Sequence, residues 1–206
     1  MFLTQLNYPP TVTEKTPIIV TLHGMGATYD DLQPAAEQLD NAAIHLHIQA
    51  NLPFGSGYAF FVPDFSQHTE QEVIYPVLET IHDFVEQQLI AENLTDHPLI
   101  FLGFSQGAMI SLGLTFLYPN WLSQAFLFSA RMPAFYQEFT EQPNQTAVFI
   151  SQGQMDPLFP VTIGRTYSKY VQAKLAKVAY HEYPVGHGIH PQAVRDAQQF
   201  YQLHTN

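Results

Sequence analysis

Short apolar runs alternate along this chain with longer stretches whose apolar residues recur every three or four positions. The runs at 16–23 (Thr-Pro-Ile-Ile-Val-Thr-Leu-His), 43–49, 98–104, 123–129, 146–151 and 178–183 have strand length, and turn-forming residues bound most of them. Between them, 30–39 places Leu32, Ala35, Ala36 and Leu39 on one helical face. The longest periodic stretch, 69–93, carries Val73, Val77, Leu78, Ile81, Phe84, Val85 and Leu89 at helical spacing. Thr69 with Glu72 three residues on predicts a capping box at its start. Pro76 is expected to kink this helix or to sit in its early part. Further helices are predicted at 106–118, 161–175 and 190–203. Strand alternating with helix implies βαβ units, hence a doubly wound α/β fold with a mostly parallel sheet covered on both faces. We expect one domain over residues 1–206, with no large cap. Sites in such sheets form at the carboxyl ends of the strands.

Composition sharpens this picture. Hydrophobic residues make up 46% of the 206 and charged residues 12%, which suits a buried central sheet and argues against disorder. The net charge of −11 argues against nucleic acid and anionic membrane surfaces as partners. Without cysteine the chain has no disulfide, thiolate metal site or Cys nucleophile. Residues 97–130 contain no Asp, Glu, Lys or Arg, but Gly103, Gly107 and Pro119 punctuate the span, so it reads as strand, turn, helix and strand rather than a membrane helix. The first ten residues lack the basic and apolar regions of a secretory signal. A soluble, cytoplasmic protein without integral membrane association is expected, and a homodimer is left open.

The candidate chemistry starts at Gly103-Phe-Ser105-Gln-Gly107, set between an apolar run and a helical one. This is the spacing of a nucleophile elbow, in which a serine sits on a tight strand-to-helix turn. A side chain at either glycine is expected to collide with the adjoining strand or helix. A serine hydroxyl needs a base, and the base needs an orienting carboxylate, in the chain order Ser, acid, His. Asp156 lies in a turn-rich loop past the strand ending at Ser151, a place that also suits a turn or cap residue. Glu138, Glu141, Glu182 and Asp196 are the weaker acids. His187 in Val185-Gly-His-Gly188 follows a strand and precedes a helix; its glycines leave room around the ring. His190, before Pro191, is the runner-up and reads as a helix start; His181 lies in a strand and His204 in the tail. The backbone of Gln106 is one candidate oxyanion donor, and Met25 in Leu22-His-Gly-Met-Gly26 is the other, although a plain turn also explains His-Gly.

These segments, together with Phe128-Ser-Ala-Arg-Met-Pro133, resemble the phospholipase/carboxylesterase branch of the α/β-hydrolase fold, which includes acyl-protein thioesterases. The resemblance spans about 16–203. It implies a Ser105, Asp156, His187 triad with Met25 and Gln106 forming the oxyanion hole. The chain departs from thioesterase members at Ala27-Thr-Tyr29, and its 54–61 loop carries Phe54, Tyr58, Phe60 and Phe61 where the family often has a Trp. These departures count against a protein-thioesterase role and leave the catalytic assignment standing.

Phe54, Tyr58, Phe61, Met132 and Phe159 are candidate substrate-binding residues, with core packing as the competing explanation for each. A serine carboxylesterase cleaving small carboxylic esters is the leading expectation. A thioesterase, lysophospholipase or small-amide hydrolase would use the same triad, and a ligand-binding protein on the same scaffold would need none of it. No cofactor or metal is expected: His45 and His47 alternate on a strand without nearby carboxylates.

Overall fold

The computed structural model describes residues 2–62, 64–139 and 143–205. Seven strands form one sheet: β1 (Leu3–Asn7), β2 (Ile18–Leu22), β3 (Ile44–Gln49), β6 (Leu99–Phe104), β7 (Gln124–Phe128), β8 (Ala147–Gly153) and β9 (Val178–Tyr183). Their order is β1-β3-β2-β6-β7-β8-β9, parallel throughout except for β1, which pairs antiparallel with β3. A separate hairpin, β4 (Leu52–Phe54) and β5 (Gly57–Ala59), hangs beyond the end of β3. The helices are α1 (Gln33–Leu39), α2 (Glu70–Glu92), α3 (Gln106–Leu117), α4 (Val161–Lys174) and α5 (Pro191–His204). Among the described residues no large cap is inserted.

Period-2 alternation in the central strands feeds two cores. Ile18, Val20, Leu22, Phe101, Leu127, Val148 and Ile150 join one, with Leu78, Ile81 and Val85 of α2 and most of α3. Ile19, Ile100, Leu102, Phe126, Phe128 and Phe149 face the other way, onto Leu32, Ala36 and Leu39 and onto Ala193, Ala197 and Phe200 of α5. Helices therefore cover both faces, as the pattern predicted.

The differences are local. The stretch expected as one helix over 30–39 begins as a 3-10 turn at Tyr29–Leu32 and becomes α-helical at Gln33. Pro34 has no N–H to continue the ladder and crowds the preceding turn. The strand expected over 146–151 runs on to Gly153. At the head of α2 the Thr69–Glu72 capping box forms in both directions, with Thr69 N–H donating to Glu72 Oε2 at 2.8 Å and Glu72 N–H donating to Thr69 Oγ1 at 3.2 Å. Pro76 lies inside that helix, two turns from its start.

Candidate active site

Ser105 joins β6 to α3 with φ 51° and ψ −110°. A non-glycine residue there costs about 1–3 kcal/mol of backbone strain. The turn is anchored: Ser105 N–H donates to Phe128 O at 2.9 Å, and Ser105 O accepts from Met109 N–H at 3.0 Å. Both flanking glycines are required. A Cβ at Gly103 would meet Ala108 N at 2.5 Å, and one at Gly107 would meet Leu22 O at 1.9 Å. The strand end and the helix start thus pack backbone to backbone, and the serine is left at the point of the turn.

The β8 and β9 loops meet above it. Gln154 N–H donates to Tyr183 O at 2.8 Å and Met155 N–H to Val185 O at 3.1 Å. A Cβ at Gly153 would lie 2.2 Å from Gly186 O, so that approach needs glycine. Gly186 and Gly188 themselves are not crowded, because a Cβ at either meets nothing nearer than 3.8 Å. The close packing therefore falls at Gly153 rather than around the His187 ring.

The meeting of these loops produces a continuous chain of contacts. His187 Nε2 is 2.9 Å from Ser105 Oγ, and His187 Nδ1 is 2.8 Å from Asp156 Oδ2. The Asp156 side chain is fully buried, and that of His187 keeps 16% exposure. Asp156 Oδ1 accepts from the N–H groups of Leu158 and Phe159, each at 2.8 Å. The residue is thus a turn-former and the partner of His187 at once. Gln152 Nε2 donates to Phe159 O at 2.6 Å and reaches Asp156 Oδ2 at 3.4 Å, bracing the same loop. The His187 ring packs against Phe104 and Phe159, with centroids at 5.1 and 5.3 Å. Across the site Ser129, at φ 52°, donates its hydroxyl to Gly188 O at 3.0 Å and steadies the histidine loop.

The rejected candidates are engaged elsewhere. His190 caps α5, accepting from Gln192 N–H at Nδ1. His181 stacks on Phe149, and His204 contacts Phe200 O. Glu182 pairs with Arg165, Asp196 accepts from the Tyr183 hydroxyl, and Glu138 closes a 3-10 turn. Glu141 lies outside the described residues.

The β2 loop reaches the serine from the other side. A Cβ at Gly24 would come within 3.4 Å of Ser105 Cβ. Among the described residues no acceptor takes the Met25 N–H, and Gln106 N–H is the first of α3, where no intrahelical acceptor exists. The Gln106 side chain also bridges to the hairpin segment: Oε1 accepts from Phe60 N–H and Nε2 donates to Phe61 O, both at 2.7 Å. His45 and His47 lie away from this cluster. His47 contacts Thr21 Oγ1 and is held to about 4 by burial and the neighbouring His45, which itself contacts Asp40 O.

The candidate substrate residues divide. Phe54 is exposed beside Gly26, and the Tyr58 backbone pairs with that loop. Phe159 edges the His187 ring. Phe61 is buried in the core, and Met132 lines a groove of about 330 Å³ with Ile163, Tyr167 and Tyr170. Two contributors escaped sequence reading. Gln152 is a buried amide at a strand's carboxyl end, a signal that was available. The positive φ of Ser129 has no local sequence mark.

Among the described residues no helix is long and apolar enough to cross a membrane. A putative hydrolase of Bacillus subtilis, MhqD, is 23% identical over 186 residues, covering 89% of this chain and 92% of that protein. Acyl-protein thioesterase 1 of Saccharomyces cerevisiae is 26% identical over 199 residues, covering 86% of each. The carboxylesterase of Bacillus cereus superimposes with a TM-score of 0.87 at 22% identity, covering 98% of this chain and 94% of that one, which establishes the α/β-hydrolase fold. The phospholipase/carboxylesterase family model matches residues 10–205, and the chain therefore belongs to that family of serine hydrolases.

Proposed function

We propose that this protein is a serine carboxylesterase for small carboxylic esters, with Ser105 as nucleophile, His187 as base and Asp156 as its orienting acid. The observation that carries the reading is the unbroken contact chain from Ser105 Oγ through both His187 ring nitrogens to Asp156. His187 takes the Ser105 proton as Oγ attacks the ester carbonyl. The negative oxygen is received by the N–H groups of Met25 and Gln106, an arrangement whose individual donors are worth about 10²–10³ in kcat. His187 then protonates the leaving alcohol. Water, deprotonated by the same ring, hydrolyses the acyl-enzyme and regenerates Ser105.

Apolar side chains stand exposed on the β2 and β8 loops and on the β4–β5 hairpin: Met25, Met155 and Leu158, and Leu52 and Phe54. They supply a shallow apolar surface for an acyl or alcohol group, with no cap among the described residues to enclose a long one. A second reading, thioester cleavage by the same residues, is favoured by the acyl-protein thioesterase similarity. Turnover of p-nitrophenyl acetate and butyrate and of matched acyl thioesters by wild type and Ser105→Ala separates the readings. Wild type should hydrolyse the oxygen esters faster and take a fluorophosphonate label that Ser105→Ala does not. A wild type that neither turns over nor labels would leave only a ligand-binding role.

A further inference from the structure

His23 is 1% exposed, and both of its ring nitrogens are used. Nε2 accepts from the Ala50 N–H at 3.0 Å, while Nδ1 lies 2.6 Å from Gly24 O. A backbone N–H can only donate, so Nε2 carries no proton in this arrangement. The neutral ring therefore bears its proton on Nδ1 and donates it to the Gly24 carbonyl. Burial favours the neutral form, holding His23 below the ordinary histidine value. The ring is wedged against Phe60, with centroids 5.0 Å apart.

The peptide between Gly24 and Met25 is trans, so its carbonyl and its N–H point in opposite directions. Fixing one end fixes the other. We infer that His23 is a positioning residue for the oxyanion hole: by holding the Gly24 carbonyl inward, its Nδ1–H turns the Met25 N–H outward, toward the carbonyl under attack at Ser105. The inference rests on the proposed role of Met25 as an oxyanion donor. Two observations bind the device to the reacting centre. Gly24 abuts the Ser105 side chain, and Gly26 N–H donates to Tyr58 O at 2.8 Å, so the loop is held on both sides of Met25. The Gly24 carbonyl also accepts from Ala27 N–H, at a longer 3.2 Å; without the His23 bond this turn contact alone holds the 24–25 peptide, and the donor's aim loosens. The sequence places this histidine in the candidate oxyanion loop without a role of its own; its tautomer is what gives it a task.

Two substitutions separate the ring's two bonds. In His23→Asn the amide nitrogen occupies the place of Nδ1 and keeps the donor to Gly24, while Ala50 N–H loses its acceptor. In His23→Gln the amide oxygen reaches the place of Nε2 and keeps the Ala50 bond, while the Gly24 carbonyl keeps only its longer bond from Ala27 N–H. The measurements are Tm, and kcat and KM per fluorophosphonate-titrated site. His23→Gln should keep a Tm near wild type and lose about 100-fold in kcat with KM little changed, the scale of a misplaced or missing oxyanion donor. His23→Asn should melt earlier and stay within about tenfold of wild-type kcat. A purely structural histidine would make kcat follow Tm, with His23→Asn the more impaired; that order, or wild-type kcat in His23→Gln, overturns the inference. Ser105→Ala measured alongside separates the two levels. If it keeps turnover, the proposed catalytic reading itself fails; if it is inactive while kcat follows Tm, the His23 inference alone fails.

Discussion

Gln106 grips Phe60 and the residue after it through both ends of its side-chain amide, 2.7 Å to Phe60 N–H and 2.7 Å to Phe61 O, across more than forty residues of sequence. The residue that follows the candidate nucleophile thus holds the hairpin segment, and the hairpin in turn holds the β2 loop through Tyr58 and Gly26. Position, rather than direct chemistry, is the task of this side chain. Its backbone N–H, the proposed oxyanion donor, has no intrahelical acceptor.

Gln106→Ala keeps that backbone donor but strands the Phe60 N–H and the Phe61 carbonyl. Each buried group left unpaired costs about 1–3 kcal/mol. The variant should melt several degrees below wild type, and kcat/KM should fall with it as the 57–61 segment loosens. Thermal unfolding with ester kinetics checks this, and an unchanged Tm would show that the bridge carries no weight.

The two histidines that follow β9 should behave in opposite ways. His187→Ala removes the proposed base, and kcat is expected to drop by at least about 10³. His190→Ala removes a helix cap, which costs about 0.5–2 kcal/mol of stability and leaves kcat near wild type. Parallel kinetics and melting curves read both. Activity retained by His187→Ala would overturn the assignment.

Crowding separates the glycines. Gly107→Ala drives a methyl to 1.9 Å from Leu22 O, backbone against backbone, so the elbow must open or the protein unfold. The expected loss is at the upper end of about 1–3 kcal/mol or more. Gly186→Ala meets only Met155 O at 3.8 Å and should change Tm little. Soluble yield and Tm of the pair decide the matter.

Acid should destabilise the fold through His47. Burial holds this imidazole at about 4, against 6.5 for an ordinary histidine. The unfolded chain therefore binds the proton more readily than the native one. Stability from this group is complete above about pH 6.5 and is lost progressively as the pH falls toward 4. Tm measured between pH 7.5 and 4.5 should decline, and His47→Asn should decline less steeply over the same window. Equal slopes would assign the acid sensitivity to other groups.

Much of the site is readable along the chain because local geometry writes it there. The elbow needs small residues on both sides of Ser105, and the two contacts that forbid a Cβ at Gly103 and Gly107 explain the motif. The chain order of Asp156 and His187 narrows the partners. Period-2 alternation in β2, β6, β7 and β8 marks strands whose two faces meet different helices.

Other features leave no such mark. β1 is an edge strand with mostly exposed residues, and only its pairing with β3 makes it a strand. The β4–β5 hairpin is held by Gln106 and the β2 loop, which are distant in sequence.

By itself the sequence determined the α/β order, the strained serine turn and a short set of partners, because each follows from residue size and spacing within a few turns of chain. Tertiary structure alone decided the rest. It joined the His187 ring to both Ser105 and Asp156, turned the Gln106 amide toward the hairpin, and placed the proton of His23 on Nδ1. Those outcomes depend on which groups meet across the fold and on the geometry of donor and acceptor there, neither of which a linear spacing contains.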